Sequence, residues 1–352
     1  MAVTRLPDEP RSVIAGVDTH LDVHVAAVVD EVGRTLATRE FSTDPGGYQQ
    51  LLNWVRGYGE LDRVGVEGTG SYGAGLTRFL LQAGVRVVEV ARPDRGDRRQ
   101  KGKSDVLDAE AAARATLGGS ASGQPKLGAG PIEVIRVLRA TRSSAMKART
   151  QAGNQLHALV LTAPAELRES LRGLSTFKLA LRSVAFRPGA LVCPEAAFKK
   201  ALKTVAHRWL DLGREIAEFD AALSKLVPAA APALVALHGV GPEVAATLLV
   251  AAGDNRERLK SESSFAALCG VCPLPASSGK TQRHRLNRGG NRQANRALWT
   301  IVMTRLRHDE RTRRYVAKRS AEALSKPEII RCLKRYVARE VYPAVVSTLD
   351  DP

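Results

Sequence analysis

Residues 12 to 41, SVIAGVDTHLDVHVAAVVDEVGRTLATREF, alternate apolar and polar side chains, are rich in Val and Thr, and break near Asp30 to Gly33. Successive side chains of a strand leave opposite faces, so this alternation predicts two or three antiparallel strands in a meander. The pattern then changes to a helix over Pro45 to Val55, a strand over Arg63 to Glu67, a helix over Ala74 to Ala83 and a strand over Val85 to Val90. Strands first, then helix and strand in turn, predict a mixed sheet with helices packed on it. Ser104 is placed to cap a further helix, DVLDAEAAARATL, which stops at Gly118 and Gly119.

A chain of 352 residues exceeds one ordinary compact domain, and its sequence changes character after that helix. Residues 118 to 131, GGSASGQPKLGAGP, have the composition of a linker. Ile132 to Thr162 reads as one helix and Pro194 to Val227 as another. In the second, Leu202, Val205, Trp209, Leu212, Ile216, Phe219, Leu223 and Leu226 recur at steps of three and four. That seam predicts a coiled coil, within the chain or between protomers, although an ordinary buried helix face gives a similar stripe. A second globular unit is expected from about Pro228. There two helices would flank Gly239-Val240-Gly241, a helix-hairpin-helix whose turn can offer backbone N–H groups to a DNA phosphate.

Charge narrows the partners. The 53 Lys and Arg against 36 Asp and Glu give a formal charge of +17, and residues 280 to 339 hold 18 basic against four acidic residues. Such an excess on helical sequence calls for a polyanion, because cations on phosphates release condensed counterions. Aromatic residues make up only 5%, too few for base stacking to dominate, which favours recognition of backbone or helical shape. The four cysteines, Cys193, Cys269, Cys272 and Cys332, form no disulfide framework, and the C-x-x-C at Cys269 and Cys272 lacks the second pair of a zinc site. Without a membrane-length apolar stretch or an apolar signal core, the expectation is a cytoplasmic protein with no membrane partner.

Two chemistries compete for residues 66 to 73, VEGTGSYG. The glycines follow a G-x-G-x-x-G spacing between a strand and a helix, and Glu89 ends the next strand where a ribose-binding acid belongs. The loop, however, follows a meander instead of opening the fold, and it comes directly after an acid. In the second reading the glycines only make a tight turn and Glu67 is the residue that matters. Asp18 lies in or just past the first strand, and Asp105 and Asp108 sit three apart on one helix face. Four converging carboxylates repel unless divalent cations neutralise them, which implies Mg²⁺ or Mn²⁺ and two-metal phosphoryl transfer. Glu110 on the same helix and Asp22, read on the first strand, stand outside that set.

These residues carry a resemblance. GVDTHLDVHVAAVVD, VEGTGSYGAGLTRFLLQAG and KGKSDVLDAEAAARATL resemble the DEDD domain of IS110-family transposases, and FAALCGVCPLPASSGKTQRHRLNRGGNRQANRALW resembles that family's second, IS116/IS110/IS902-type domain. The resemblance implies an α/β RNase H-like, RuvC-like catalytic domain over 12–120 and a linker with coiled-coil helices over 121–227. A mainly α C-terminal domain with the helix-hairpin-helix, residues 228–345, would follow. It implies metal ligands at Asp18, Glu67, Asp105 and Asp108, and a catalytic serine in a Pro, four residues, Ser-Gly pattern, here Pro273 to Ser278-Gly279, with Ser277 adjacent. Leu21 departs from a Lys common in relatives. Lys280, Arg283, Arg285, Arg288, Arg292 and Arg296 would hold DNA or a structured guide RNA encoded by the element. The family's composite sites imply a homo-oligomer, dimer or tetramer, joined through the coiled-coil helices.

The function expected from this resemblance is an insertion-sequence transposase, or recombinase, that cuts and rejoins DNA with a metal-assisted serine. A RuvC-like nuclease or junction resolvase using water is the alternative enzyme. A non-catalytic nucleic-acid-binding protein is the alternative outside enzymes.

Overall fold

The computed structural model describes residues 12–90, 104–121, 123–277 and 284–350. The chain forms two compact units, one of residues up to 129 with 252–264, the other of 130–251 with 265 onward.

In the first unit, β1 (Ser12–Thr19), β2 (Val23–Val29) and β3 (Thr35–Ser42) form the expected antiparallel meander, and β4 (Glu60–Glu67) and β5 (Arg86–Val90) add in parallel. The sheet order is β3-β2-β1-β4-β5. The break falls at Asp30, whose carboxylate accepts from the amides of Val32 and Arg34, while Gly33 takes φ +83°. Asp22 lies in the turn after β1 and is exposed, not on the strand as the sequence suggested.

The inner strands of the sheet carry helices on both sides. On one face Val13, Ala15 and Val17, with Ala26, Val28, Val64 and Val66, pack beneath Leu51, Leu52 and Val55 of α1 (Pro45–Arg56) and Leu76 and Leu80 of α2 (Ala74–Gln82). Asp44 starts α1 by accepting from the Gly47 amide at 2.9 Å, with Pro45 in the first turn. The opposite face takes α3 (Asp105–Leu117), whose Ala109 and Ala113 meet Val25, Ala27, Ile14 and Val29. The sequence reading places α3 at these bounds, but the Ser104 side chain makes no capping bond; its carbonyl accepts from the Asp108 amide at 3.0 Å.

His24 is a polar intruder on the α1 face. It is fully buried, stacks on Tyr48 at 5.9 Å between centroids, and neither ring nitrogen has a hydrogen-bond partner among the described residues. Burial pushes its pKa down to about 4 from 6.5. The folded state therefore refuses a proton that the unfolded chain accepts. Stability is full above the ordinary histidine value and falls as the pH drops from there toward about 4. Integrating the shift gives a loss of about 3 kcal/mol, an upper figure. Replacing His24 with Phe is expected to remove most of this acid limb, so that hydrogen exchange of the β1 and β2 amides, compared with wild type at each pH, is slower in the variant near pH ~5. Equal ratios at neutral and acid pH would contradict the account.

The second unit is helical. α4 (Gly130–Thr162) and α7 (Pro194–Ala230) lie against each other within the chain, burying Ala152 and Leu156 with Leu202, Val205, Ala206 and Trp209. The Arg142 Nε donates to Asp220 at 2.6 Å, and the Arg149 guanidinium sits 3.9 Å over Trp209. Leu179 and Ala180 of α6 (Thr176–Val184) and Leu167 and Leu171 of α5 (Ala165–Leu171) close this core. Of the seam read from sequence, Leu202, Val205, Trp209, Ile216 and Leu223 are buried, Leu212 and Phe219 are half-buried and Leu226 is exposed. The four-residue α8 (Pro232–Val235), α9 (Pro242–Ala252) and α10 (Glu262–Leu268) follow. A two-stranded pair, β6 (Leu274–Pro275) and β7 (His284–Arg285), precedes α11 (Arg292–His308), α12 (Glu310–Ala321) and α13 (Lys326–Asp350). Among the described residues no helix is long and apolar enough to cross a membrane.

Candidate metal centre and nucleic-acid surface

The acidic site begins with two glycines. On β1 and β4, Val17 pairs with Val66, so Asp18 and Glu67 are neighbours across parallel strands about 4.8 Å apart, on the same face. Two residues earlier on that face stand Gly16 and Gly65. A Cβ on Gly16 would lie 2.1 Å from the Ala113 nitrogen and 2.4 Å from the Ala109 carbonyl oxygen, and one on Gly65 would lie 2.0 Å from the Thr116 Oγ1. The backbone of α3 therefore rests directly on the sheet, with small Ala109, Ala112 and Ala113 beneath it. That close approach brings the first turn of α3, carrying Asp105 and Asp108, to the strand ends that carry the other two acids.

Asp18 and Glu67 are 6% and 7% exposed, an expensive position for carboxylates without a cation or proton. Burial raises the Asp18 pKa, His20 opposes the rise, and the negative charges of Asp108 and Asp105 add to it. All four sequence-predicted acids thus converge on one end of the sheet, three of them coupled by charge. The hydroxyl of Thr19 donates to the Glu67 carbonyl at 2.8 Å, tying the two strand ends together.

His20 joins them, and the sequence reading left it out. Its Nε2 lies 3.0 Å from Asp18 Oδ2 and 3.4 Å from Asp105 Oδ1. Among the described residues, Asp18, His20 and Asp105 form the one group of His, Cys, Asp or Glu side chains with ligand atoms within 4.8 Å of one another. The signal was present: His20 is two residues beyond Asp18, the strand spacing that repeats a face. Glu110, by contrast, pairs with Arg114 at 3.0 Å.

The glycine loop makes a turn. Gly68 takes φ +67°, and the amides of Ser71 and Gly73 both donate to the Gly68 carbonyl, at 2.8 and 3.1 Å, while the Ala74 amide donates to Ser71. A phosphate cradle needs such amides pointing outward. Glu89, the candidate ribose ligand, instead accepts from the Thr69 hydroxyl at 3.0 Å. The C-x-x-C is likewise structural: Cys269 is buried with its pKa pushed up to about 12, and the Cys272 sulfur receives the Asn287 amide at 3.1 Å.

In the helical unit, Ser278, Lys280 and Arg283 lie outside the described residues. The strands flanking them pair Leu274 with Arg285 and Pro275 with His284. The base of this segment is firmly built. A Cβ on Gly290 would sit 2.2 Å from the Gly270 nitrogen, and Asn295 donates to the carbonyls of Cys269 and Gly270 at 2.8 and 3.2 Å. The Asn295 carbonyl oxygen in turn receives the buried Lys334 ammonium at 2.8 Å, and burial lowers that lysine's pKa. Arg285, Arg288, Arg292 and Arg296 are all exposed, and none has an acidic partner among the described residues. In the Gly239-Val240-Gly241 turn, Gly239 has φ +83° and Gly241 faces open space. The turn is fixed by Arg305, which donates to the His238 carbonyl at 2.9 Å and holds Glu340 through two bonds of 2.7 Å.

Residues 15–163 match a family model described as a transposase, the DEDD domain of the IS110 type, and residues 231–317 match the model described as the transposase IS116/IS110/IS902 family. The chain belongs to the IS110-type transposase family. The DEDD match contains the whole acidic cluster, and the second match contains the glycine turn, the Ser278 segment and the four exposed arginines. The chain is also 30% identical over 105 residues to the insertion element IS110 uncharacterized 43.6 kDa protein of Streptomyces coelicolor. That likeness covers 30% of this chain and 26% of the relative's own length. For an IS110-type DEDD domain, hard oxygen donors gathered at one end of the sheet are the donor set a divalent cation takes.

Proposed function

We propose that the chain is the transposase of an insertion sequence, a recombinase that cuts and rejoins DNA through Ser278. One observation supports this most: α3 lies on Gly16 and Gly65 so that Asp105 and Asp108 come beside Asp18, with Glu67 on the neighbouring strand end, all inside the DEDD-domain match. In this reading residues 12–120 are the catalytic domain, 121–227 the connecting helices and 228–345 the serine-bearing domain. Asp18, Glu67, Asp105 and Asp108 would hold Mg²⁺ or Mn²⁺, which would supply Lewis-acid stabilisation of the charge that develops on a DNA phosphate.

The Ser278 hydroxyl attacks the phosphorus of a phosphodiester. A Ser278 Oγ–P bond forms, one P–O bond of the DNA breaks, and the freed DNA oxygen leaves as a hydroxyl, its proton replacing the one that Ser278 gives up. The bond energy is kept in the phosphoserine ester, so a hydroxyl from another DNA end can reverse the step and rejoin the strands. Arg285, Arg288, Arg292 and Arg296, with Lys280 and Arg283, hold nucleic-acid phosphates, and the turn amides near Gly239 and Gly241 provide a further backbone contact. A structured RNA encoded by the element is the guide that the family resemblance implies. Two or four copies, joined through the helices of α4 and α7, would bring the acids of one protomer to the serine of another.

The rival nuclease uses water and needs no serine. Wild type and Ser278→Ala are therefore compared for metal-dependent cleavage of element-end DNA in the presence of co-encoded RNA. Loss of cleavage by at least about a thousand-fold, the scale of removing a catalytic nucleophile, is expected. Cleavage that survives in Ser278→Ala would assign the reaction to a water-using nuclease.

A further inference from the structure

The acidic site contains a nitrogen donor that the four-carboxylate set does not account for. His20 is 42% exposed on its side chain, and among the described residues both contacts of its imidazole within hydrogen-bond or ion-pair range are to site carboxylates, Asp18 Oδ2 at 3.0 Å and Asp105 Oδ1 at 3.4 Å. These separations are also those of adjacent ligands around one small divalent ion: donors about 2.1 Å from an octahedral cation lie about 3.0 Å apart along an edge and about 4.2 Å apart when opposite. The three donor atoms all fall within 4.8 Å of one another, and the ring reaches them from the end of β1 without leaving the face that carries Asp18.

Resting on the reading of this cluster as a divalent-cation site, we propose that the His20 Nε2 is itself a ligand, beside Asp18 and Asp105, and that it biases the site toward Mn²⁺ over Mg²⁺. The bias follows from donor chemistry. An imidazole nitrogen suits first-row transition ions, whereas Mg²⁺ takes oxygen donors and retains its waters. The competing role for the same ring is a cation in its own right, an imidazolium that neutralises the two carboxylates. Without a metal the two roles share one geometry; with a metal they have opposite signs. Removing a ligand weakens cation binding, while removing a positive competitor strengthens it.

The test uses the full-length protein, wild type, His20→Ala and Asp105→Asn, titrated with Mn²⁺ and separately with Mg²⁺ by calorimetry. Pulsed electron paramagnetic resonance of the bound Mn²⁺ provides a second readout. Wild type is expected to show a hyperfine coupling from an imidazole nitrogen that vanishes in His20→Ala. That variant is expected to lose about tenfold or more in Mn²⁺ affinity and less than about threefold for Mg²⁺. Mn²⁺ binding that is abolished by Asp105→Asn yet shows no nitrogen coupling, or that tightens in His20→Ala, overturns the assignment of His20 and leaves the carboxylate site standing. Mn²⁺ binding indifferent to Asp105→Asn overturns the cation-site reading, and the role of His20 with it.

Discussion

Replacing Asp105 with Asn is expected to lower metal-dependent DNA cleavage by at least about a thousand-fold, roughly 4 kcal/mol of transition-state stabilisation, while leaving the fold intact. The choice of Asp105 over Asp18 follows from burial. Asp18 is 6% exposed, so altering it disturbs packing as well as charge, whereas the Asp105 side chain is 48% exposed on the first turn of α3. Asn keeps the shape and removes the charge, so a cation would lose one of its anionic ligands while α3 keeps its seat on the sheet. Circular dichroism and DNA affinity should match wild type, since the arginines proposed to hold DNA belong to the helical unit. Cleavage within about tenfold of wild type would remove Asp105 from the catalytic set.

Gly16→Ala is expected to destabilise the first unit strongly for a change of one methyl group. The new methyl would overlap the backbone of α3, 2.1 Å from the Ala113 nitrogen and 2.4 Å from the Ala109 oxygen, and backbone cannot turn aside as a long side chain can. Either α3 lifts from β1 or the strand bends, at about 3 kcal/mol, the upper end for over-packing. Lifting α3 also withdraws Asp105 and Asp108 from Asp18, so cation binding should fall together with stability. Gly70→Ala is the control, because its methyl would meet nothing within 4 Å. Urea denaturation followed at the first unit, with hydrogen exchange on α3, would show the difference; equal stability of the two variants would contradict the packing account.

These two residues mark where the sequence is legible and where it is not. The bounds of α3 can be read directly, because acids fill its first turn and Gly118 and Gly119 follow its last. The meander was also readable, since Asp30 and Gly33 make the turn between its second and third strands. Asp18 and Glu67 stand at strand ends, which local pattern can locate. What brings them to Asp105 is a different kind of information: the need for glycine at positions 16 and 65 exists only once β1 and β4 are in register and α3 is laid across them. The same holds for the glycine loop, whose spacing fits a dinucleotide site and whose amides turn inward in the folded chain. In the long helix α7, heptad spacing picks out Leu202, Val205, Trp209, Ile216 and Leu223. It misses the buried Ala206 and Val227 and includes the exposed Leu226, because the partner surface, not the repeat, decides which residues are covered.

His20 was within reach of the same strand periodicity that located Asp18.

The central claim is that a serine of the helical domain carries the DNA phosphate while the acids of the α/β domain activate the transfer. Its most direct measurement is denaturing electrophoresis of the full chain after incubation with a divalent cation, labelled element-end DNA and co-encoded RNA, with digestion and mass spectrometry of any protein-bound label. The account predicts a covalent adduct mapped to phosphoserine at Ser278, absent in Ser278→Ala and in Asp105→Asn. Free cleaved ends with no adduct, unchanged by Ser278→Ala, would contradict it.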